Sequence, residues 1–511
     1  MIALGYDYGT TNSLLVRFTD NVLTEVNTDV LKLSSPVLDG NSSPKRLLNS
    51  TRYDKKKVVR SIEDFTVEIF KNMKNLAGDS VVLTVTVPNV FRDVECMLMR
   101  EAVVRASSRQ DVLGDRISDD DVNILPEPIA AALYYVYGAQ PTGGQDRYLV
   151  IFDVGGGTTD MLVVSYSIRV CDDKKYIDFK VKCTAGDLLE LGGNDFDNVM
   201  IEVLCTKLRS KRVYFNDEYK YSLSKHAEYI KCRLSDVKLV SYELPDPDGN
   251  FVSLCVERDD FEYMMRTDGK LSRFAQYAEG LKGEMQRILS GEGVDLMTAL
   301  SRCVLLPVGG SAKIPCLQRI MAKVFGCNLV SEGVFGEHSR YQCVARGAAI
   351  YSAWCAGLVE DVAEINIQDR TLHRIAIKYG GTLQRLETCV GKNFPSGEYS
   401  IILHPTEHSK INADSFRIGA IHLYEGEGDV VDEGEYPRTA HLKTLSEKLS
   451  SLNDPINIRG RNIHEIDIRM TFKIRYGRLC EVAIFVSGGG PSNNHSSPMY
   501  DYSKTIGLCT E

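Results

Sequence analysis

The sequence predicts a large α/β domain followed by an all-β domain. Three observations carry that reading. First, two glycine-rich turns, LGYDYGTTNS at Leu4–Ser13 and FDVGGGTTDML at Phe152–Leu162, each follow an apolar, β-prone run and pair an acidic residue with Gly and Thr. Second, apolar strands alternate with helical patterns as far as Gly357. Third, the pattern changes near Leu358 and becomes short period-two runs separated by Gly and acidic turns.

The elements follow in order. Met1–Phe18 reads as strand, tight turn, strand, and leads through a polar, irregular stretch at Asn41–Thr51. A helix is expected over Ile62–Leu76, the apolar strand VVLTVTVPNVF over Val81–Phe91, and a helix over Met97–Ala106. In ILPEPIAAALYYVYG (Ile124–Gly138) a proline opens an Ala-rich helix, where its missing N–H costs little. The second glycine turn repeats the opening strand–turn–strand theme. A helical and irregular region covers Asp195–Gly293. Val304–Gly326 reads as strand, Gly-Gly turn and helix, and Ala345–Gly357 as a small-residue helix with a glycine stop. After the β runs, the Gly/Ser/Asn/Pro-rich end of the chain is expected to be a disordered tail.

Composition narrows the function classes. The 511 residues allow two or three domains. A net charge of −9 gives no reason to expect nucleic acid or an anionic membrane as partner. The 14 cysteines are scattered, with no CxxC pair, and several, such as Cys303, Cys327 and Cys355, sit in apolar contexts. That usage fits a reduced compartment with Cys as a small hydrophobe, and it argues against a zinc site. Neither a signal peptide nor a membrane span is visible, so the expected location is cytoplasmic.

Neither glycine turn is a GxxxxGK loop, and neither opens a helix as a GxGxxG turn does. Glycine lets the backbone approach an anion, and the turn N–H groups then point at it. Either turn alone would be an ordinary hairpin. Two in one chain, each with a carboxylate placed to meet a metal ion, suggest a clamp that grips one polyphosphate from both sides.

Five signatures in this order resemble the seventy-kilodalton heat-shock chaperone family: the first turn, LTVTVPNVF, LPEPIAAAL, the second turn followed by LGGNDFD, and PVGGSAKIP. The resemblance is strong in Met1–Gly357 and weaker in Ile367–Val486. It implies a two-lobed, actin-like ATPase domain with a duplicated ribonuclease-H-like core, followed by a β-sandwich domain. The implied boundaries are 1–357 for the nucleotide domain, with lobe I about 1–145 and lobe II about 146–357. Lobe I would carry a shortened subdomain at about 29–78, and lobe II an inserted one at about 197–293. A linker at 358–370, a substrate-binding-like β domain at 371–488 and the tail at 489–511 complete the chain.

The resemblance also implies residue roles. Gly9, Thr10, Thr11 and Asn12 would hold the β- and γ-phosphates, with Asp7 beside a hydrated Mg2+. Asp153 and Asp160 would complete the metal and water shell. Gly155, Gly156, Gly157 and Thr159 would form the second phosphate turn, with Gly192 and Gly193 following it. The Thr158 hydroxyl would point at the terminal phosphate. Lys45, in PKRLLNSTRYD, takes the place of the family's catalytic lysine, and Glu127 that of the glutamate that orients the attacking water. Glu228, Lys231 and Ser235 share a helix face and would contact ribose and adenine. Gly309, Gly310 and Ser311 would form the turn under the base, with Lys313 where the family has arginine. The implied ligands are ATP or ADP with Mg2+, and K+ as a further ion.

The chain departs from the family at points of interdomain coupling. Cys96 stands where a relay arginine is usual, eight residues after the switch proline Pro88. Asn194 replaces a glutamate, Tyr341 replaces an aspartate, and the linker VEDVAEINIQDR (Val359–Arg370) is not a leucine run. A helical lid after the β domain is not expected. The implied function is a divergent, lidless chaperone: a slow ATPase and monomer that binds extended or unfolded polypeptide, with J-domain and nucleotide-exchange helpers as partners. The alternative is a nucleotide-gated scaffold for one dedicated partner. A small-molecule kinase and a filament former on the same fold are weaker readings.

Overall fold

A computed structural model describes residues 1–18, 30–35, 43–48, 53–72, 80–89, 91, 93–187, 191–330 and 339–370, and beyond these a set of C-terminal strands. The chain divides into two compact units, 1–91 with 98–366, and 92–97 with 367–511.

The first unit opens with strands β1 (Ile2–Asp7), β2 (Asn12–Phe18) and β3 (Val30–Ser34). Helices α1 (Pro44–Leu48) and α2 (Lys55–Asn72), strand β4 (Val81–Val87), helix α3 (Asp93–Ser107), strand β5 (Val122–Pro126) and helix α4 (Glu127–Tyr137) follow. The sheet order is β3-β2-β1-β4-β5, antiparallel across β1–β3 and parallel across β1, β4 and β5. All seven residues of β4 are buried, as a parallel strand covered on both faces requires. Helix α2 packs its Phe65 and Phe70 rings edge-on against Tyr8 and Tyr6 beneath the first glycine turn.

The second half repeats the topology. Strands β6 (Arg147–Val154), β7 (Thr159–Cys171) and β8 (Lys174–Asp187) form an antiparallel meander. Helices α5 (Gly193–Ser210), α6 (Asp217–Ser222) and α7 (Ser224–Asp236), the hairpin β9 (Leu239–Pro245) and β10 (Phe251–Glu257), and helices α8 (Arg258–Thr267), α9 (Lys270–Gly291) and α10 (Leu296–Leu300) come next. Then come β11 (Cys303–Val308), α11 (Pro315–Phe325), β12 (Asn328–Leu329), α12 (Ser339–Cys355) and β13 (Val362–Arg370). The sheet reads β12-β11-β6-β7-β8, with β11 and β12 parallel to β6, and β13 beside β8. Each half is thus a three-strand meander extended by two parallel strands, which fits the expected duplicated core.

Helix α12 comes late in the sequence but packs on the first sheet. A side chain at Gly5 would lie 2.0 Å from the Ala345 carbonyl oxygen, and one at Gly347 1.8 Å from that of Ala130 on α4. Ser352 donates to the Leu4 carbonyl (2.7 Å) and its hydroxyl bonds that of Thr84 (2.6 Å).

Some expectations need correction. The stretch read as irregular at Asn41–Thr51 holds α1, a turn and a half too short to show periodicity. Helix α2 begins at Lys55, earlier than expected, because its first turn is three lysines without an apolar pattern. The region Asp195–Gly293 is mostly regular, and its hairpin buries Val240, Leu244, Leu254 and Val256 in alternation. Within the stretch read as the linker, Val362–Arg370 is a strand, and the Lys175 N–H donates to the Asp361 carbonyl at 2.7 Å.

In the second unit Ile466–Arg475 pairs antiparallel with Gly397–Leu403 and with Arg478–Gly488. Arg374–Tyr379 pairs with Thr382–Arg385 and Ile421–Gly426. The turn expected at Tyr476-Gly477 lies outside the described residues. The tail is not wholly irregular: Tyr502–Gly507 is a strand antiparallel to Arg478–Gly488. Its Tyr, Thr and Ile are strand formers that the polar composition around them concealed.

Candidate functional site

The first glycine turn joins β1 to β2. Gly9 is required there, since a Cβ would lie 1.9 Å from the Asn12 carbonyl oxygen. Ser35 pins the turn. Its hydroxyl donates to the Gly9 carbonyl (2.6 Å) and bonds the Ser13 hydroxyl (2.8 Å), and its N–H donates to the Thr11 carbonyl (2.8 Å). Asp7 ends β1, and parallel register sets it against Thr86, whose hydroxyl donates to it at 3.2 Å.

The second turn joins β6 to β7 and is held by the N-terminus of α5. The N–H groups of Gly193 and Asn194 donate to the carbonyls of Gly155 (2.9 Å) and Gly156 (2.7 Å). Thr159 donates its hydroxyl to the Leu191 carbonyl. Thr159 and Asp160 are therefore buried behind the turn, while Gly155, Gly156 and Thr158 line the cleft.

The two turns face and touch. A Cβ on Gly156 would lie 1.8 Å from the Thr11 hydroxyl oxygen, and one on Gly157 2.3 Å from the Thr10 methyl. The Thr11 hydroxyl also reaches Asn194 Oδ1 at 3.5 Å. The cleft between the turns measures about 120 Å3. Its wall includes Asp7, Gly9–Asn12, Lys45, Glu127, Asp153, Gly309 and Gly310. Gly309 has φ +79°, and a side chain there would strike Asp153 Oδ1 at 2.7 Å, so the β11 turn closes directly on the second loop.

Lys45, carried by α1, forms a buried ion pair with Glu127 at the start of α4. Burial alone would lower the lysine's pKa, but Glu127 and then Asp7 outweigh it and raise it. The aspartates are raised as well, which favours their neutral form where it favours the lysine's charged one. Burial, with Glu127 adding to it against Lys45, pushes Asp7 up to about 7. Burial and then Glu127 push Asp160 up to about 8. Burial followed by Glu127, Asp160 and Asp7 raises Asp153 well above its ordinary value. One ammonium thus faces three buried carboxylates and the half-buried Asp7, and Asp160 Oδ2 is buried without a hydrogen-bond partner. This surplus of negative charge is what a bound cation relieves. Among the described residues no three His, Cys, Asp or Glu side chains converge to hold a metal directly. The donor set therefore fits an ion bound mainly through its own waters.

The expected nucleoside end is only partly assembled around this cleft. Glu228 on α7 is exposed, and the Ser235 hydroxyl bonds back to the Lys231 carbonyl (3.5 Å). Buried Lys231 donates to the Gly193 carbonyl (2.9 Å) and pairs with Asp197 (2.8 Å). None of the three lines the cleft. Ser311 is buried against Gly193, and Gly192 against Gly157, while Lys313 is half-buried beside them. Sequence reasoning missed Ser13, Ser35 and Thr86, because strand register and a distant serine leave no local motif. Cys96 is buried on α3, and the Tyr341 side chain lies outside the described residues.

Fold and site together define a mixed α/β domain whose paired glycine turns enclose an acidic cleft with one buried lysine. A family model described as Hsp70 protein matches residues 41–422, three quarters of the chain. The chain belongs to the Hsp70 family, whose members are ATPases. It is 28% identical over 311 residues to the mitochondrial 70 kDa heat shock protein of Solanum tuberosum, covering 59% of this chain and 39% of that protein. To the chaperone protein DnaK of Methanothermobacter thermautotrophicus it is 25% identical over 312 residues, 60% of this chain and 46% of the relative. The chain thus matches less than half the length of either relative. Among the described residues no helix is long and apolar enough to cross a membrane.

Proposed function

We propose that this chain binds ATP and ADP in the cleft, hydrolyses ATP slowly, and binds extended or unfolded polypeptide through its C-terminal β region, read as a sandwich. The observation that carries the nucleotide reading is the contact between opposed glycine turns around the Lys45–Glu127 pair. The enclosed volume is below the roughly 300–1,000 Å3 of pockets that bury a drug-sized ligand. It suits the phosphate end of a nucleotide, with the nucleoside reaching past Gly309–Gly310 toward α7.

Asp7 and Asp153 are the residues that would hold Mg2+, and when bound the ion would supply charge neutralisation to the phosphates. Turn N–H groups and the Thr158 hydroxyl bind phosphate oxygens. Lys45 neutralises charge on the terminal phosphate. Glu127, kept in place by Lys45, orients the attacking water and accepts its proton. K+ suits the same acidic wall. Glu127→Gln should lower single-turnover hydrolysis by about 10²–10⁴-fold while nucleotide affinity changes little. Unchanged hydrolysis in that variant would remove Glu127 from this role.

Family membership supports J-domain and nucleotide-exchange proteins as helpers, and the monomer as the working form. The scattered cysteines favour a reducing compartment, for which the cytoplasm is the reading taken; the potato relative's name carries a mitochondrial setting. A second reading, a nucleotide-gated scaffold, draws on Cys96 and the altered linker. Anisotropy with unrelated hydrophobic peptides separates the two: promiscuous binding supports the chaperone, and silence with every peptide supports the scaffold.

A further inference from the structure

Cys303 and Cys327 are distant in sequence, but the second sheet brings them together. Strands β11 and β12 run parallel, with Val304 facing Asn328 and Leu305 facing Leu329. One step back along the same register, Cys303 faces Cys327. Both are buried thiols. The two thiols also interact electrostatically, while the Cys303 sulfur contacts the Val304 carbonyl at 3.7 Å. Neighbouring strands lie about 4.8 Å apart, within the ~4.4–6.8 Å Cα separation that a disulfide spans. The Cys327 sulfur also contacts the Leu300 carbonyl at 3.4 Å. Lys282, whose ammonium donates to the Val324 carbonyl at 2.6 Å, is near enough to favour the Cys327 thiolate.

We propose that Cys303 and Cys327 are a modification site, an oxidisable dithiol that a small disulfide such as oxidised glutathione closes into a cross-strand bond. The Cys327 thiolate attacks one sulfur of the small disulfide and expels a thiolate, leaving a mixed disulfide. The Cys303 sulfur, after losing its proton, attacks Cys327 Sγ and expels the second thiolate. Two protein thiols are oxidised, one small disulfide is reduced to two thiols, and the two protein protons end on the leaving groups. Strand β12 is the outer strand of its sheet, and β11 runs directly into Gly309–Gly310 at the cleft. The bond therefore staples a short edge strand to the strand that carries the expected base-binding turn.

The test uses the full chain, folded, incubated with oxidised glutathione, then alkylated and digested without reductant for mass spectrometry. The expected product is a peptide pair joined through Cys303 and Cys327, reversed by dithiothreitol, with glutathione on exposed Cys171 and Cys255. The oxidised chain should melt above the reduced one, and Cys303→Ala should lose that rise. The proposal is overturned if both thiols are recovered alkylated while Cys171 is fully glutathionylated, or if either joins a different cysteine. It is equally overturned if the bond forms without raising the melting temperature. The peptide measurement on the parent chain needs no variant to fold.

Discussion

Replacing Lys45 with Met keeps the length and apolar stem of the side chain and removes its charge. Glu127 and Asp7 would then sit in the cleft wall without the ammonium that faces them. Breaking a buried ion pair from one side costs about 3–5 kcal/mol. The unfolding entropy of the roughly 360 residues of the first unit, at about 2.1 cal/mol/K per residue, is near 0.75 kcal/mol/K. Each kcal/mol then lowers the melting temperature by about 1.3 °C, so Lys45→Met should melt about 4–7 °C below the parent at pH 8. The loss should shrink toward pH 5, where the stranded carboxylates take up protons. Glu127→Gln placed on top of Lys45→Met should restore part of it, because the stranded charge is gone. Scanning calorimetry of the nucleotide-free chain reads all three. A Lys45→Met variant within 1 °C of the parent at pH 8, or a double variant that falls by the sum of the singles, would refute the buried pair.

Two further outcomes follow from the same packing. Asp7 and Asp160 have folded-state pKa values raised to about 7 and about 8, above the roughly 3.9 of an unfolded aspartate. The folded state binds the extra protons, so this contribution to stability is full below about pH 4 and is lost as pH rises toward 8. Asp160→Asn should flatten the fall in melting temperature between pH 5 and 8; a curve parallel to the parent's would show that Asp160 is not the cause. Gly347→Ala would put a methyl group against the Ala130 carbonyl oxygen. The backbone of α4 or α12 must then move, at a cost of about 1–3 kcal/mol or more, visible as a lower urea midpoint; an unchanged midpoint would mean that the two helices separate freely.

Much of this architecture is legible in the chain because its motifs are local. The strand–turn–strand around Gly9 and that around Gly156 are written within ten residues each, and so is the proline-led helix that begins at Glu127. Lys45 is legible only through resemblance. Its helix is five residues long and has no periodicity, and what fixes it is an acid far along the sequence. Ser35 and Thr86 are silent for the same reason, since one meets the turn through tertiary contact and the other through parallel register. Glu228 and Ser235 show the limit of spacing: it places residues on one helix face and says nothing about which wall that face approaches, and neither lines the cleft between the turns. The strand Tyr502–Gly507 was hidden by averaging, since its three strand-forming residues, Tyr502, Thr505 and Ile506, sit inside a polar segment.

The first sheet is covered by a helix that the ribosome makes only after the strands and helices of the second sheet, β6 to β12. Until Ser339–Cys355 has emerged, Gly5, Leu4 and Thr84 lack the partners that cover them, so a nascent first lobe exposes an apolar face throughout translation of the second. The two halves of the first unit are therefore joined in assembly, and a fragment ending before α12 is an unfinished protein rather than a smaller one.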